Sequence, residues 1–208
     1  MNSIRLKKAI NQQQGMNFLG HLYLSNNDQQ LMLNNLFGDF VKGKDLSRFP
    51  IAVQKGIRLH RQIDDYIDRH QIVLKLLHEL QVDLPKVAGI AIDLYFDHLL
   101  AKNWTKFHSV PLNYYLEQFY QHAKPTEEIY GNKFCDFIQK LIGYNWISHY
   151  PSLQGLEKAC QGVSSRISFA NELVHGKEVF LKHQEQIQES FEAYMKEAIL
   201  KFNVVISK

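Results

Sequence analysis

Six side chains have the types needed for metal or acid–base chemistry and stand where such groups are out of place: His21, Asp39, His60, Asp64, Asp97 and His98. The clearest case is the stretch from Pro50 to Arg69. There Val53, Ile57, His60, Ile63, Asp64 and Ile67 follow i, i+3, i+4, i+7 spacing and share one face of a helix. An imidazole and a carboxylate between isoleucines cost free energy unless both are paired or bind a metal. The run Ala91-Ile92-Asp93-Leu94-Tyr95-Phe96-Asp97-His98-Leu99-Leu100 is apolar on most sides, yet it carries two carboxylates and an imidazole. His21 sits inside the apolar Asn17–Leu24 segment, and Asp39 follows Gly38 one turn after Asn35. His60 with Asp64, and Asp93 with Asp97, are i, i+4 pairs that point the same way and could share an ion. Oxygen and nitrogen donors without cysteine suit Mn²⁺, Mg²⁺ or Fe²⁺ better than a structural zinc. A hydrogen-bonded Asp–His pair between helices would satisfy the same groups with no metal. Recurrence on three helices of the first half is what favours a metal or acid–base site.

Two arginines join the candidates. Arg61 follows His60 and could grip a phosphate with two nitrogens, or simply pair with Asp65. Arg166 borders an apolar stripe and could turn into a cleft or reach outward to solvent. Lys42, Lys44, Arg48, Lys55 and Arg58 give the region before His60 a basic face.

The elements that must position these groups read as helices. Apolar periodicity predicts helices over about 29–42, 50–69, a continuation through Leu80 after a bend, 85–102, 111–123, 125–142, 152–174 and 177–202. Asn17–Leu24 reads as a short helix or extended lead-in, and Trp146-Ile147 as a short turn. Gly38 offers close approach to another backbone or a ligand. No strand-like alternation of any length occurs. The expected fold is an all-α single-domain bundle over residues 16–208, preceded by a disordered extension over 1–15.

Composition bounds the function. The net charge of +3, from 24 basic and 21 acidic residues, is too mild to argue for nucleic acid. No apolar run approaches the ~18 residues of a membrane span, and residues 1–15 lack the apolar centre of a signal peptide. The two cysteines, Cys135 and Cys160, match no metal or redox spacing and read as reduced core thiols of a cytoplasmic protein.

Four motifs in order carry a resemblance: Asn17-Phe18-Leu19-Gly20-His21-Leu22, Gly38-Asp39-Phe40-Val41-Lys42-Gly43, His60-Arg61-Gln62-Ile63-Asp64 and Asp97-His98-Leu99-Leu100, with Gly162-Val163-Ser164-Ser165-Arg166 later. Together they resemble the acyl carrier protein phosphodiesterase family. The resemblance implies a helical fold related to HD-domain metal phosphohydrolases. It implies hydrolysis of the phosphodiester joining 4′-phosphopantetheine to a serine of holo-acyl carrier protein, with Mn²⁺ as the expected metal. Here the Asp97-His98 order reverses the His-Asp doublet of HD enzymes, and no such doublet occurs in the chain. The resulting assignment puts Asp39, His60, Asp64 and Asp97 around the metal. His98 is a ligand or acid–base group, His21 supports them, and Arg61 contacts phosphate. Carrier proteins are strongly acidic, so the Lys42–Arg58 region is the expected docking face. Two other readings share these residues: a metal phosphohydrolase for nucleotides or other small phosphodiesters, and a non-enzymatic helical binding module.

Overall fold

The computed structural model describes residues 17–204, and the extension expected over 1–15 lies outside the described residues. Eleven α-helices run along it, with no strand among the described residues. They are α1 (Phe18–Tyr23), α2 (Gln29–Phe37), α3 (Ile51–Arg69), α4 (Gln71–Leu80), α5 (Ala88–Lys102), α6 (Trp104–Phe107), α7 (Leu112–His122), α8 (Glu127–Tyr144), α9 (Leu153–Ser164), α10 (Gly176–Lys182) and α11 (Gln184–Lys201). Short 3₁₀ turns occupy Gly38–Phe40, Trp146–His149 and Leu173–His175. The all-α expectation holds. Among the described residues no helix is long and apolar enough to cross a membrane. Cys135 and Cys160 are free and buried, as expected.

The apolar all-round α5 is the axis of the fold. It is buried from Ala88 to Ala101 except at Gly89, and α1, α4, α9 and α11 pack around it. Helix α3 is the opposite case. Its stripe Val53, Ile57, His60, Ile63 and Ile67 is buried while the other side meets water. Asp28 caps α2 by accepting from Leu31 N at 2.9 Å, the expected use of an N-cap aspartate. Helices α2 and α3 are the most closely packed pair. Gly56 sets that crossing: a Cβ there would come within 2.5 Å of the Asn34 carbonyl carbon.

Two expected long helices are interrupted. The 152–174 helix ends at Ser164. Asn171 takes over the free backbone groups, donating to Ser164 O at 3.3 Å and Phe169 O at 3.1 Å and accepting from Ser164 Oγ at 3.0 Å. Such local side-chain bonds compete with the helix ladder. Gly176 opens the next helix. The 177–202 helix breaks at His183, whose Nε2 is 2.7 Å from Asp83 Oδ2. The helix expected over 29–42 tightens at Gly38 into the 3₁₀ turn that carries Asp39.

Candidate metal centre

Helices α1, α2 and α3 meet where His21, His60 and Asp64 converge. One ligand atom from each lies within 4.8 Å of the others. His21 Nε2 is 3.3 Å from Asp64 Oδ1, and His60 Nε2 is 3.3 Å from Asp64 Oδ2. The two imidazoles stack with centroids 4.3 Å apart. Both histidines are buried, whereas Asp64 keeps 41% of its side chain accessible, so the cluster opens to solvent through its carboxylate.

Gly38 makes this approach possible. A Cβ on it would overlap the Cβ of His60 and come within 2.5 Å of its Cγ. The approach expected here of another backbone or a ligand is made instead by the His60 side chain.

Asn35 determines the state of His21. Its Nδ2 donates to His21 O at 3.0 Å and to Ser25 Oγ at 2.9 Å, and Ser25 Oγ in turn donates to His21 O at 2.8 Å. That leaves Asn35 Oδ1 to accept from His21 Nδ1 at 2.9 Å. The proton of a neutral His21 is therefore on Nδ1, and Nε2 presents a lone pair toward Asp64. Buried Nε2 has no hydrogen-bond partner among the described residues. A lone pair facing a carboxylate oxygen is a site for a cation, and an outer hydrogen bond that fixes the tautomer is typical of metal-bound histidine. The donor set fits a divalent ion.

The electrostatics agree with a site built to hold positive charge. Burial, then the neighbouring His60, pulls the His21 pKa down. Burial also opposes charge on His60, but Asp64 and then Asp39 outweigh it and leave its pKa above the ordinary imidazole value. Burial would raise the Asp64 carboxyl, yet His60 and His21 hold it well below the usual carboxylate range.

The model of the acyl carrier protein phosphodiesterase family matches residues 16–198, a span that contains the whole cluster. The chain belongs to this family. Among its relatives is an acyl carrier protein phosphodiesterase of Photorhabdus laumondii, 34% identical over 73% of this chain and 77% of its own. Those of Yersinia pestis and Klebsiella pneumoniae (strain 342) are 31% and 28% identical, each over 73% of this chain and 79% of their own. No solved structure matches the chain, and the likeness to HD-domain enzymes stays an expectation of the sequence.

Of the family motifs, those around His21 and His60-Asp64 supply the cluster. Asp39 stands beside it: half-buried on its 3₁₀ turn, it is close enough to act on the charge of His60. Arg61 braces that region. Its Nη2 donates to Val41 O at 3.1 Å and Gly43 O at 2.8 Å, holding the strap that follows Asp39. Asp65 pairs with Arg69 at 2.8 Å instead.

Asp97 and His98 are placed elsewhere. Asp97 spends its two oxygens on the backbone, accepting from Leu19 N at 2.9 Å and Gly20 N at 2.8 Å. It thereby holds the first turn of the helix that carries His21. Burial raises its pKa, with those two bonds opposing and Asp93 adding to the rise. His98 points from the next position of α5 into a different packing face. Its Nδ1 lies 2.7 Å from Tyr150 O, and its ring meets Phe180 edge-on at 5.0 Å. Burial lowers its pKa.

Two expected outcomes follow from these placements. Asn35→Ala should weaken divalent-metal binding ~10–100-fold, as loss of an outer partner does, read by competition with a chromophoric chelator. Asp97→Ala strands two buried amides and should cost ~1–3 kcal/mol of stability, read by urea unfolding. Unchanged values would mean that neither group supports His21.

The sequence drew attention to Asn35 only through its spacing from Asp39. Its partners, Ser25 and the His21 carbonyl, lie 10 and 14 residues away, which no periodicity reveals.

Proposed function

We propose that the protein is a divalent-metal phosphodiesterase that releases 4′-phosphopantetheine from holo-acyl carrier protein, leaving the apo-protein. Membership of the family supports the substrate, and the His21–His60–Asp64 cluster inside the matched span carries the metal part of the reading. His21, His60 and Asp64 hold the ion, and Asp39 supplies a second carboxylate beside them. Bound there, the ion would lower the pKa of a water and neutralise charge on the phosphoryl oxygens. Mn²⁺ is the metal that the family resemblance implies, and imidazole and carboxylate donors without thiolate accommodate it, with Mg²⁺ and Fe²⁺ as replacements.

The residues divide the remaining work. Asn35 keeps the Nε2 lone pair of His21 directed at the site. Asp97 fixes the helix on which His21 stands. Arg61 holds the strap after Asp39 through Nη2 and acts as a positioning residue. The half-open Asp64 marks where the substrate enters. In the reaction water attacks phosphorus, the P–O bond to the serine breaks, and the serine oxygen leaves with a proton.

The exposed Lys42, Lys44, Arg48, Lys55 and Arg58 form the docking face for an acidic carrier protein. That surface suits a large acidic partner, and membership of the family points to the carrier protein as that partner. The reading is tested by comparing kcat/KM for holo-acyl carrier protein with that for a small diester such as bis(4-nitrophenyl) phosphate. Strong preference for the carrier protein supports it. Equal or better use of the small diester would assign the site to small phosphodiesters.

A further inference from the structure

A cavity of about 710 Å³ lies between α1, α5, α8, the Trp146–His149 turn and α9. Its size falls within the roughly 300–1,000 Å³ of small-molecule sites. Its inner wall is aromatic: Phe18, Phe40, Phe137 and Trp146 line it and pack on one another, with ring centroids 5.2–6.2 Å apart. Its charged groups are exposed: Lys133 and Lys140 on α8, Lys158 on α9 and Arg166 just beyond the end of α9, with Asp136 the carboxylate and His149 the imidazole among them. The sequence left open whether Arg166 turns into a cleft; it lines this one.

The cavity shares its framework with the metal cluster. Phe18 lies one turn before His21 on α1, and Phe40 is the neighbour of Asp39 on the 3₁₀ turn. Phe40 and Lys133 also line the adjoining open groove that holds Lys42 and Arg48, together with Glu127 and Glu128. The basic edge of the cavity thus continues into the docking face described above.

We propose that this cavity receives the pantetheine arm of the substrate. The inference rests on the carrier-protein reading and specifies where that substrate lies. The arm is joined to the phosphate that is cleaved, so it must run from the cluster into a space that adjoins it. Chemically it is an uncharged chain of methylene and methyl groups with a secondary hydroxyl, two amides and a thiol. An aromatic wall suits the hydrocarbon, and the few groups around the edge suit the amides. Four cations against one carboxylate would face an acidic carrier protein across the opening.

The test uses pantetheine itself, which lacks the phosphate and so bypasses the metal. Binding is followed by calorimetry and by tryptophan emission. Of the two tryptophans, Trp146 lines the cavity, while Trp104 is buried against Tyr115 and His108. The full chain should bind pantetheine saturably with a change in emission that Trp146→Phe abolishes. Ala159→Phe and Gly162→Leu each fill the cavity from α9, where a Gly162 Cβ would meet only Arg166 Nη2, at 3.7 Å. Each should weaken binding at least tenfold. Circular dichroism identifies a variant that fails to fold, and the other then decides. No binding to the unaltered chain, or unchanged binding to a folded variant, overturns the assignment. Failure of the carrier-protein reaction with pantetheine binding intact would count against the substrate reading and leave the cavity's ligand class standing.

Discussion

His60→Ala and Asp64→Asn should each abolish tight divalent-metal binding and reduce kcat/KM toward holo-acyl carrier protein by at least roughly 10³-fold, because a catalytic ion supplies several kcal/mol of transition-state stabilisation. His60 is only 5% exposed, and its Nε2 faces a carboxylate 3.3 Å away that also faces His21 at 3.3 Å. His60→Ala takes away one of three donors that lie within 4.8 Å of one another, and Asp64→Asn replaces the charged donor by a neutral, much weaker one. The metal loss should exceed the ~10–100-fold expected for Asn35→Ala, since a donor and not its support is lost. Isothermal titration with Mn²⁺, alongside circular dichroism, separates lost binding from lost fold. A folded His60→Ala protein that binds Mn²⁺ as well as the unaltered chain would mean the cluster is a structural Asp–His arrangement.

The second large effect is expected at Gly38. Gly38→Val should lower stability by the upper part of the ~1–3 kcal/mol that overpacking costs and should weaken the metal site with it. The first atom of a side chain at this position already overlaps His60 Cβ. The 3₁₀ turn and α3 must then move apart. The move displaces His60 from Asp64 and Asp39 from His60 together, so stability and metal affinity fall in parallel. Urea unfolding and Mn²⁺ titration on the same preparation check this. Lost stability with intact metal binding would show that the turn and the cluster are independent.

The helices were readable in the sequence because their apolar spacing is regular, most plainly in α3 and α5. The interruptions at Ser164 and His183 were not, since they depend on Asn171 and Asp83 reaching groups that periodicity ignores. The candidate site was partly legible. His21, His60 and Asp64 could be named because each is an ionisable group in an apolar frame. Asp97 and His98 have the same appearance in sequence, yet Asp97 serves backbone amides and His98 a carbonyl. One-dimensional spacing says that a buried polar group needs a partner. It does not say whether that partner is an ion, an amide or a carbonyl. Arg61 illustrates the same point: the guanidinium expected at a phosphate holds two carbonyls of the neighbouring strap.

The central claim is that a divalent ion held by His21, His60 and Asp64 drives removal of phosphopantetheine from the carrier protein. Its most direct test is the mass of holo-acyl carrier protein after incubation with the purified protein and Mn²⁺, with and without EDTA. The account predicts loss of the 4′-phosphopantetheine mass with Mn²⁺, its suppression by EDTA, and no loss with His60→Ala. An unchanged mass in the presence of folded, Mn²⁺-loaded protein would contradict the substrate. Undiminished mass loss in EDTA would contradict the metal.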